Sequence, residues 1–385
     1  MSKSYIKLGE LASYINGYAF KPKDRGSEGL PIIRIQDLTG SSNDKGFYKG
    51  TYPSKIEINN GDVLISWSAS LGVYVWNNRK ALLNQHIFKV VFDKGEIDKD
   101  YFVYAVQFSL HRMRQLTHGA TMKHVVKKDF ENVLIPYPSL KDQRKVAHVL
   151  DKLKESINKK MDELKKLDEL IKARFVEMFG DPISNKRGWD KQLLTNLVNK
   201  IGSGATPKGG KESYQYHGIS FIRSMNVHDG YFSYTDLAHI NSKQANQLSN
   251  VIVKSGDVFI NITGASVARS CIVPDDILPA RVNQHVSIVR CKEGVLNPIF
   301  TNNLFLNSSF KKLLLSIGSS GGATRQAITK KQLEELKIIL PPISQQNEFA
   351  NFVQQVDKSK FENIVYLNKT LSSKILSQLG DAIRD

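Results

Sequence analysis

Little in this sequence offers a covalent framework or a membrane anchor. Cys271 and Cys291 are its only cysteines, too few for a disulfide framework and not in a zinc-ligand spacing, so they read as small buried hydrophobes. No run of 18 apolar residues occurs, and the N-terminal MSKSYIKLGELASYING lacks an apolar signal core. Nothing there supports membrane insertion or secretion, and a cytoplasmic protein is expected. There is no low-complexity tract and no basic tail.

Catalytic motifs are equally scarce. Gly-x-Ser-x-Gly, His-Glu-x-x-His and the kinase set are missing. Gly204 to Lys211, GATPKGGK, imitates a phosphate loop but has the wrong glycine spacing and is followed by Glu212 rather than Ser or Thr. Asn297-Pro298-Ile299-Phe300 is one residue from the Asn-Pro-Pro-Phe signature of adenine methyltransferases, yet it sits at a helix start with no glycine-rich loop upstream. Pro274-Asp275-Asp276 and Glu335-Leu336-Lys337 resemble the head and tail of a nuclease motif, too far apart to be read as one. The expectation is a binder with no catalytic residue, no metal site and no cofactor of its own.

What is present is length, charge and repetition. A chain of 385 residues with 41% hydrophobic content is sufficient for two or three packed domains. Fifty-four Lys+Arg against 37 Asp+Glu leave a net charge of +17, which favours a polyanionic partner. The charge is spread over the whole chain, as suits a folded DNA-facing surface better than a disordered arm.

Pro138 to Asp181 reads as one long helix: Leu150, Ile157, Leu164, Ile171 and Met178 recur at heptad spacing. Val146, Leu153 and Leu167 fill a second seam, which Lys160 and Arg174 interrupt. About forty residues at 1.5 Å rise make a helix roughly 60 Å long. Pro341 to Asp381 carries a similar stripe through Phe349, Val353, Val356, Ile364, Leu367, Leu371 and Ile375. The pair is expected to form a parallel or antiparallel coiled coil, with Leu150, Ile157, Leu164, Ile171, Val356, Ile364, Leu367 and Leu371 in its seam.

Other phrases recur in the same order, about 200 residues apart. Ile33-Arg34 answers to Ile222-Arg223, Gly61-Asp62-Val63 to Gly256-Asp257-Val258, and Asn84-Gln85-His86 to Asn283-Gln284-His285. Gly119-Ala120-Thr121 answers to Gly322-Ala323-Thr324, Gln143 to Gln346, and Gly180-Asp181 to Gly380-Asp381. The chain is therefore an internal pseudo-twofold repeat: a globular part (1–137), a long helix (138–181), a second globular part (182–340) and a second helix (341–385). Short β-branched and aromatic runs bounded by Gly, Asn and Asp turns predict an α+β domain around a strongly bent sheet in each copy, with helices near Tyr101 to Leu116 and Pro298 to Leu315.

Candidate nucleic-acid contacts follow from residue type and place. Arg34, Gln36 and Asp37, with Arg223 and Asn226 in the second copy, stand where a strand enters a turn, and Arg, Asn and Gln suit guanine and adenine edges. A salt bridge or a turn cap is the alternative. Lys123, His124, Arg325 and Gln326 lie in matching glycine loops, with Thr206 and Lys208 in a third; glycine lets backbone approach a ligand closely. The Asn-Gln-His phrases predict hydrogen bonding inside a turn, and the aromatics from Tyr214 to Tyr234 suit strand cores or base stacking.

Together these parts resemble the specificity subunit of type I restriction-modification systems. The likeness rests on YIKLGELASYINGYAFKPKD and GSGATPKGGKESYQYHGISFIRSMNV at the starts of the copies, the NQH turns, and the GAT loops leading to KKDFENVLIPYPSLKDQ and TKKQLEELKIILPPISQQ. Helices ending in FGD and LGD complete it. Asp142 and Gln345 depart from the family's frequent Glu. The resemblance implies two target-recognition domains, each reading one half of an asymmetric bipartite site in double-stranded DNA, with the helices as a ruler. It further implies two modification subunits that bind S-adenosylmethionine and methylate adenine, and restriction subunits that use ATP and Mg. The competing expectations are an autonomous DNA-modifying or DNA-cleaving enzyme and a basic coiled-coil scaffold.

Overall fold

The computed structural model describes residues 4–41, 44, 46–67, 71–116, 127–207, 209–319 and 326–370. It divides into two compact units, Met1–Lys159 with Tyr366–Asp385, and Lys160–Val365. The boundary falls within the long helix Leu140–Phe179, so each unit holds a globular part and a portion of the helices.

The first unit contains β1 (Tyr5–Lys7), β2 (Ser13–Asn16), β3 (Leu30–Ile33), β4 (Gly46–Tyr48), β5 (Glu57–Ile58), β6 (Val63–Ser66), β7 (Gly72–Val75), β8 (Ala81–Leu83), β9 (Ile87–Val91) and β10 (Leu134–Pro136). The second contains β11 (Lys191–Leu193), β12 (Val198–Ser203), β13 (Ile219–Ile222), β14 (Ala238–Ile240), β15 (Val258–Asn261), β16 (Ser270–Ile272), β17 (Ala280–Val282), β18 (Val286–Cys291) and β19 (Lys337–Ile339). In place of one bent sheet, the described residues of each unit form three sheets. The order β2-β9-β6-β7 is repeated as β12-β18-β15-β16, β4-β3-β8-β5 as β14-β13-β17, and β1-β10 as β11-β19. A parallel strand pairing recurs too, β3 with β8 and β13 with β17. A lone bridge from Ile252 to Arg281 stands where β5 meets β8 in the first copy.

The central antiparallel sheet is buried on both faces. Alternate residues of a strand point to opposite sides, and along β6 Val63 and Ile65 enter one core while Leu64 enters another. Along β15, Val258 and Ile260 join the helix-side core while Phe259 joins the core shared with β13 and β17. On the helix side of the first sheet lie Tyr101, Phe102, Ala105, Val106 and Leu110 of the helix Lys99–Leu116. In the second copy this layer is two helices, Pro298–Leu306 and Ser308–Ser319, rather than the continuous one expected. The break is at Asn307, whose side chain accepts from the Ser309 and Phe310 amides and so starts the second helix. Asn297 caps the first of the pair, with Pro298 at its opening position, which accounts for the methyltransferase-like phrase as a helix start.

Within the second unit the long helix and the helix Ile343–Thr370 run antiparallel: Arg174 pairs with Glu348 at 2.9 Å, Lys360 with Asp168 at 2.7 Å, and Lys160 donates to Asn363 at 3.1 Å. Ile171, Phe175 and Phe179 pack with Phe349, Val353 and Val356 and with Phe300 in one core. Leu150, Ile171, Val356 and Leu367 are buried, and Ile157 and Leu164 are half-buried. Ile364 is a correction: it is 45% exposed, because Lys160 meets its neighbour Asn363 instead. Leu371, Ile375 and Gly380-Asp381 lie outside the described residues.

Two buried glutamines join each long helix to its domain. Gln143 accepts from the Asp98 amide and donates to the Pro138 carbonyl, both at 2.9 Å. Gln346 accepts from the Asn297 amide at 2.9 Å and donates to the carbonyls of Pro341 at 2.8 Å and Val295 at 3.3 Å.

Candidate nucleic-acid interface

In each unit several loops meet where the strands of the two main sheets end, and a glycine makes the meeting possible. Gly204 follows β12 and donates to the Asn283 carbonyl at 3.0 Å. A Cβ there would lie 1.8 Å from the Val282 carbonyl oxygen, so no other residue fits. Gly17 does the same after β2, where a Cβ would lie 2.2 Å from the Asn84 carbonyl oxygen. The Asn-Gln-His turns then tie three elements together. Asn84 donates to the Ile33 carbonyl and Asn283 to that of Ile222, each at 3.0 Å. The carbonyls of His86 and His285 accept from the equivalent amides of Trp67 and Ile262 at 3.4 and 2.9 Å.

The second unit shows the whole junction. Thr206 donates through Oγ1 to Gln284 Oε1 at 2.5 Å, and Gln284 Nε2 lies 3.2 Å from His285 Nε2. Thr263 Oγ1 is hydrogen-bonded to His285 Nδ1. The Gly264 amide donates to the Gln326 carbonyl at 2.9 Å, and Thr263 bridges to Ala327. Thus Thr206 reaches the turn directly and Gln326 reaches it through the Thr263–Gly264 segment, and Arg223 follows the Ile222 residue to which that turn is bonded. In the first unit Gln85 Nε2 lies 3.3 Å from His86 Nε2, and the Gln85 amide donates to the Tyr18 carbonyl at 3.0 Å.

Arg34 and Arg223 occupy the same place and carry different charge environments. Arg34 pairs with Asp37 at 3.2 Å and lies 3.8 Å from the Asp44 carboxylate, so its charge is compensated. Arg223 donates to the Asp236 carbonyl and lies over the Tyr214 ring at 5.5 Å, with no carboxylate partner among the described residues. Gln36 and Gln326 are exposed.

Asp37 and Asn226 need correction as readers. Asp37 accepts from the Arg34 amide at 2.9 Å and Asn226 from the Arg223 amide at 3.1 Å. Asn226 is wholly buried and donates to the carbonyls of Ser233 and Thr235 at 3.0 and 3.2 Å, so its polar atoms are consumed inside the turn. Both residues shape the loop that carries the arginine. Lys123, His124, Lys208 and Arg325 lie outside the described residues. The residues missed by sequence reasoning are Gln85 and Gln284. The asparagine of each phrase serves the turn as expected, but the glutamine is exposed.

Metal chemistry finds no grouping among the described residues. No cluster of three His, Cys, Asp or Glu side chains could hold a metal ion there. Glu335 pairs with Lys331 at 3.7 Å, and Asp276 accepts from Tyr234 at 3.0 Å. Burial pushes the thiol of Cys271 up to about 12 and that of Cys291 up to about 11. No helix among the described residues is long and apolar enough to cross a membrane.

Two copies of one α+β domain, each gathering exposed polar loops at its sheet ends, make a duplicated-domain protein. Comparison with known proteins agrees in detail. The sequence model of the type I restriction modification DNA specificity domain matches residues 3–167 and 186–372. The chain belongs to that family, and DNA sequence recognition is its role. It is 24% identical to the type I restriction enzyme EcoBI specificity subunit of Escherichia coli, over 91% of this chain and 78% of that one. It is 26% identical to the MjaVIII specificity subunit of Methanocaldococcus jannaschii, over 91% and 85%. Among solved structures, the S subunit of a type I restriction-modification system from M. genitalium superposes with a TM-score of 0.56 at 13% identity, over 100% of this chain and 97% of that one. A chain from a type I system solved to explain complex assembly and conformational transition gives 0.58 at 18% identity, over 99% and 97%. At such identities the likeness is one of fold.

Proposed function

We propose that this chain directs a type I restriction-modification complex to an asymmetric, two-part site in double-stranded DNA. Each target-recognition domain, 1–137 and 182–340, reads one half. The long helices, 138–181 and 341–385, set the spacing and dock two modification subunits, and restriction subunits join that assembly. S-adenosylmethionine, ATP and Mg belong to the partners, and this chain itself is non-catalytic and cytoplasmic. The observation that carries the reading is the loop junction built twice, by the same turn residues, in a member of a DNA-specificity family. Divergent loops around a common frame let the two copies read different sequences.

The experiment is to express the chain with its modification subunit in a methylation-free host and map methylated adenines across the genome. A split, asymmetric motif of fixed spacing that disappears when this chain is omitted is the expected result. Adenine methylation that persists unchanged without this chain would sink the proposal.

A further inference from the structure

The two copies differ almost everywhere around the junction. Tyr18-Ala19-Phe20 stands against Ala205-Thr206-Pro207 after the invariant glycine, Trp67 against Ile262, and Asp37 against Asn226. Asn-Gln-His does not differ, and its glutamine–histidine contact recurs. Thr206 and Thr263 brace that contact in the second copy. In the first, Ala19 takes the place of Thr206, and His86 Nδ1 is without a hydrogen-bond partner among the described residues. Both glutamines are exposed, and each presents its amide nitrogen to the Nε2 of the following histidine, at 3.3 Å in one copy and 3.2 Å in the other. Two domains that read different half-sites gain nothing in discrimination from an identical side chain in an identical place. What the halves share is the sugar–phosphate backbone.

Hydrogen-bond capacity leads to the same partner. A glutamine that reads adenine must offer its oxygen and its nitrogen together. In the second copy Oε1 already accepts from Thr206 at 2.5 Å, and one N–H is turned to His285. The remaining N–H donor of this copy suits an acceptor-only phosphate oxygen, and Oε1, with one of its two lone pairs taken by Thr206, is less free for the paired adenine contact. His285 is in turn fixed by Thr263 at Nδ1, so the amide is held before DNA arrives.

We propose that Gln85 and Gln284, each oriented by its following histidine, are a matched pair of backbone contacts that seat both domains on DNA independently of sequence. This rests on the DNA-recognition reading above. The test uses the chain assembled with its modification subunits. Binding is measured by fluorescence anisotropy on a duplex carrying the mapped motif and on one with both halves scrambled. Gln85→Ala and Gln284→Ala are each expected to weaken both duplexes by a similar factor, about tenfold, and the double variant by about the product. The shape-conserving Gln85→Glu and Gln284→Glu place a negative charge toward phosphate and are expected to weaken binding further, by a factor that shrinks as salt is raised. The methylated motif stays unchanged throughout.

Wild-type affinity in the alanine and glutamate variants would overturn the inference and leave a turn residue in its place. Loss confined to the motif duplex, or an altered methylated motif, would overturn it in favour of base reading. A wild-type complex that binds neither duplex would bring down the DNA-recognition reading itself, a result distinct from normal wild-type binding with indifferent variants.

Discussion

Gln346→Glu tests how the second long helix is attached to its domain. The glutamine is wholly buried, and its two ends do different jobs: Oε1 accepts from Asn297, while Nε2 donates to Pro341 and Val295. A glutamate of the same shape keeps the first job. Its second oxygen then faces two carbonyl oxygens, at distances of 2.8 and 3.3 Å for the present nitrogen, and is tolerated there only with a proton on it. The folded state therefore raises the pKa of the new glutamate above its unfolded value of about 4.3. Below about pH 4.3 both states are protonated and the variant keeps the stability of the protonated contact. As pH rises toward the raised folded value that stability is lost, at about 1.4 kcal/mol per pH unit.

The expected result is a deficit against wild type that widens by up to about 2.8 kcal/mol between pH 5 and pH 7. Gln346→Leu is the control. It leaves the Asn297 amide and two carbonyls without partners, at about 1–3 kcal/mol each for a buried group, and the loss does not follow pH. Hydrogen exchange on peptides spanning 293–306 and 337–350, with urea titrations at each pH, reads both variants. A glutamate deficit that is flat with pH would refute the assignment of donor and acceptor ends.

Gly204→Ala is expected to cost well over the ~1 kcal/mol of an ordinary glycine replacement, because its Cβ would lie 1.8 Å from the Val282 oxygen; Gly202→Ala, with no atom within 4 Å, should be near neutral in the same urea titration. Asp257→Ala removes a wholly buried carboxylate that holds Arg290 at 2.7 and 2.8 Å. A loss of about 2–4 kcal/mol is expected, short of the full range for buried pairs because Arg290 remains 20% exposed. The thiols of Cys271 and Cys291, pushed up to about 12 and 11, should stay protonated and unreactive toward a thiol-specific reagent at pH 8, then react together on unfolding; rapid labelling of the folded chain would contradict their burial.

The repeat was legible in the sequence wherever one physical task forces one residue. Asn84 and Asn283 bond the equivalent strand carbonyl in each copy, and Gln143 and Gln346 satisfy a helix-capping amide and a proline-bearing turn at once. Such residues recur as recognisable phrases because substitutes fail. The sheet arrangement was not legible for the opposite reason. Every residue of β6 and of β15 is buried, so the alternation that sorts them into two cores left no polar trace. A strand sandwiched between helices and a second sheet then reads like part of one continuous sheet.

Among the described seam residues Ile364 alone departs from the sequence reading, and it does so because partners distant in sequence decide what a side chain does. Heptad counting placed Ile364 in the seam because it is apolar. In the folded unit the contact runs through Lys160 and Asn363, with Lys360 reaching Asp168, and the isoleucine is left outward. Arg34 and Arg223 look interchangeable beside their strands, yet one is compensated by Asp37 and Asp44 while the other meets only a carbonyl and a tyrosine ring. Asp44 and Asp236 come from loops that share no phrase between the copies. An unchanged arginine can thereby carry different electrostatic weight in each copy, so two domains built on the same strand order present unequal charge at equivalent places.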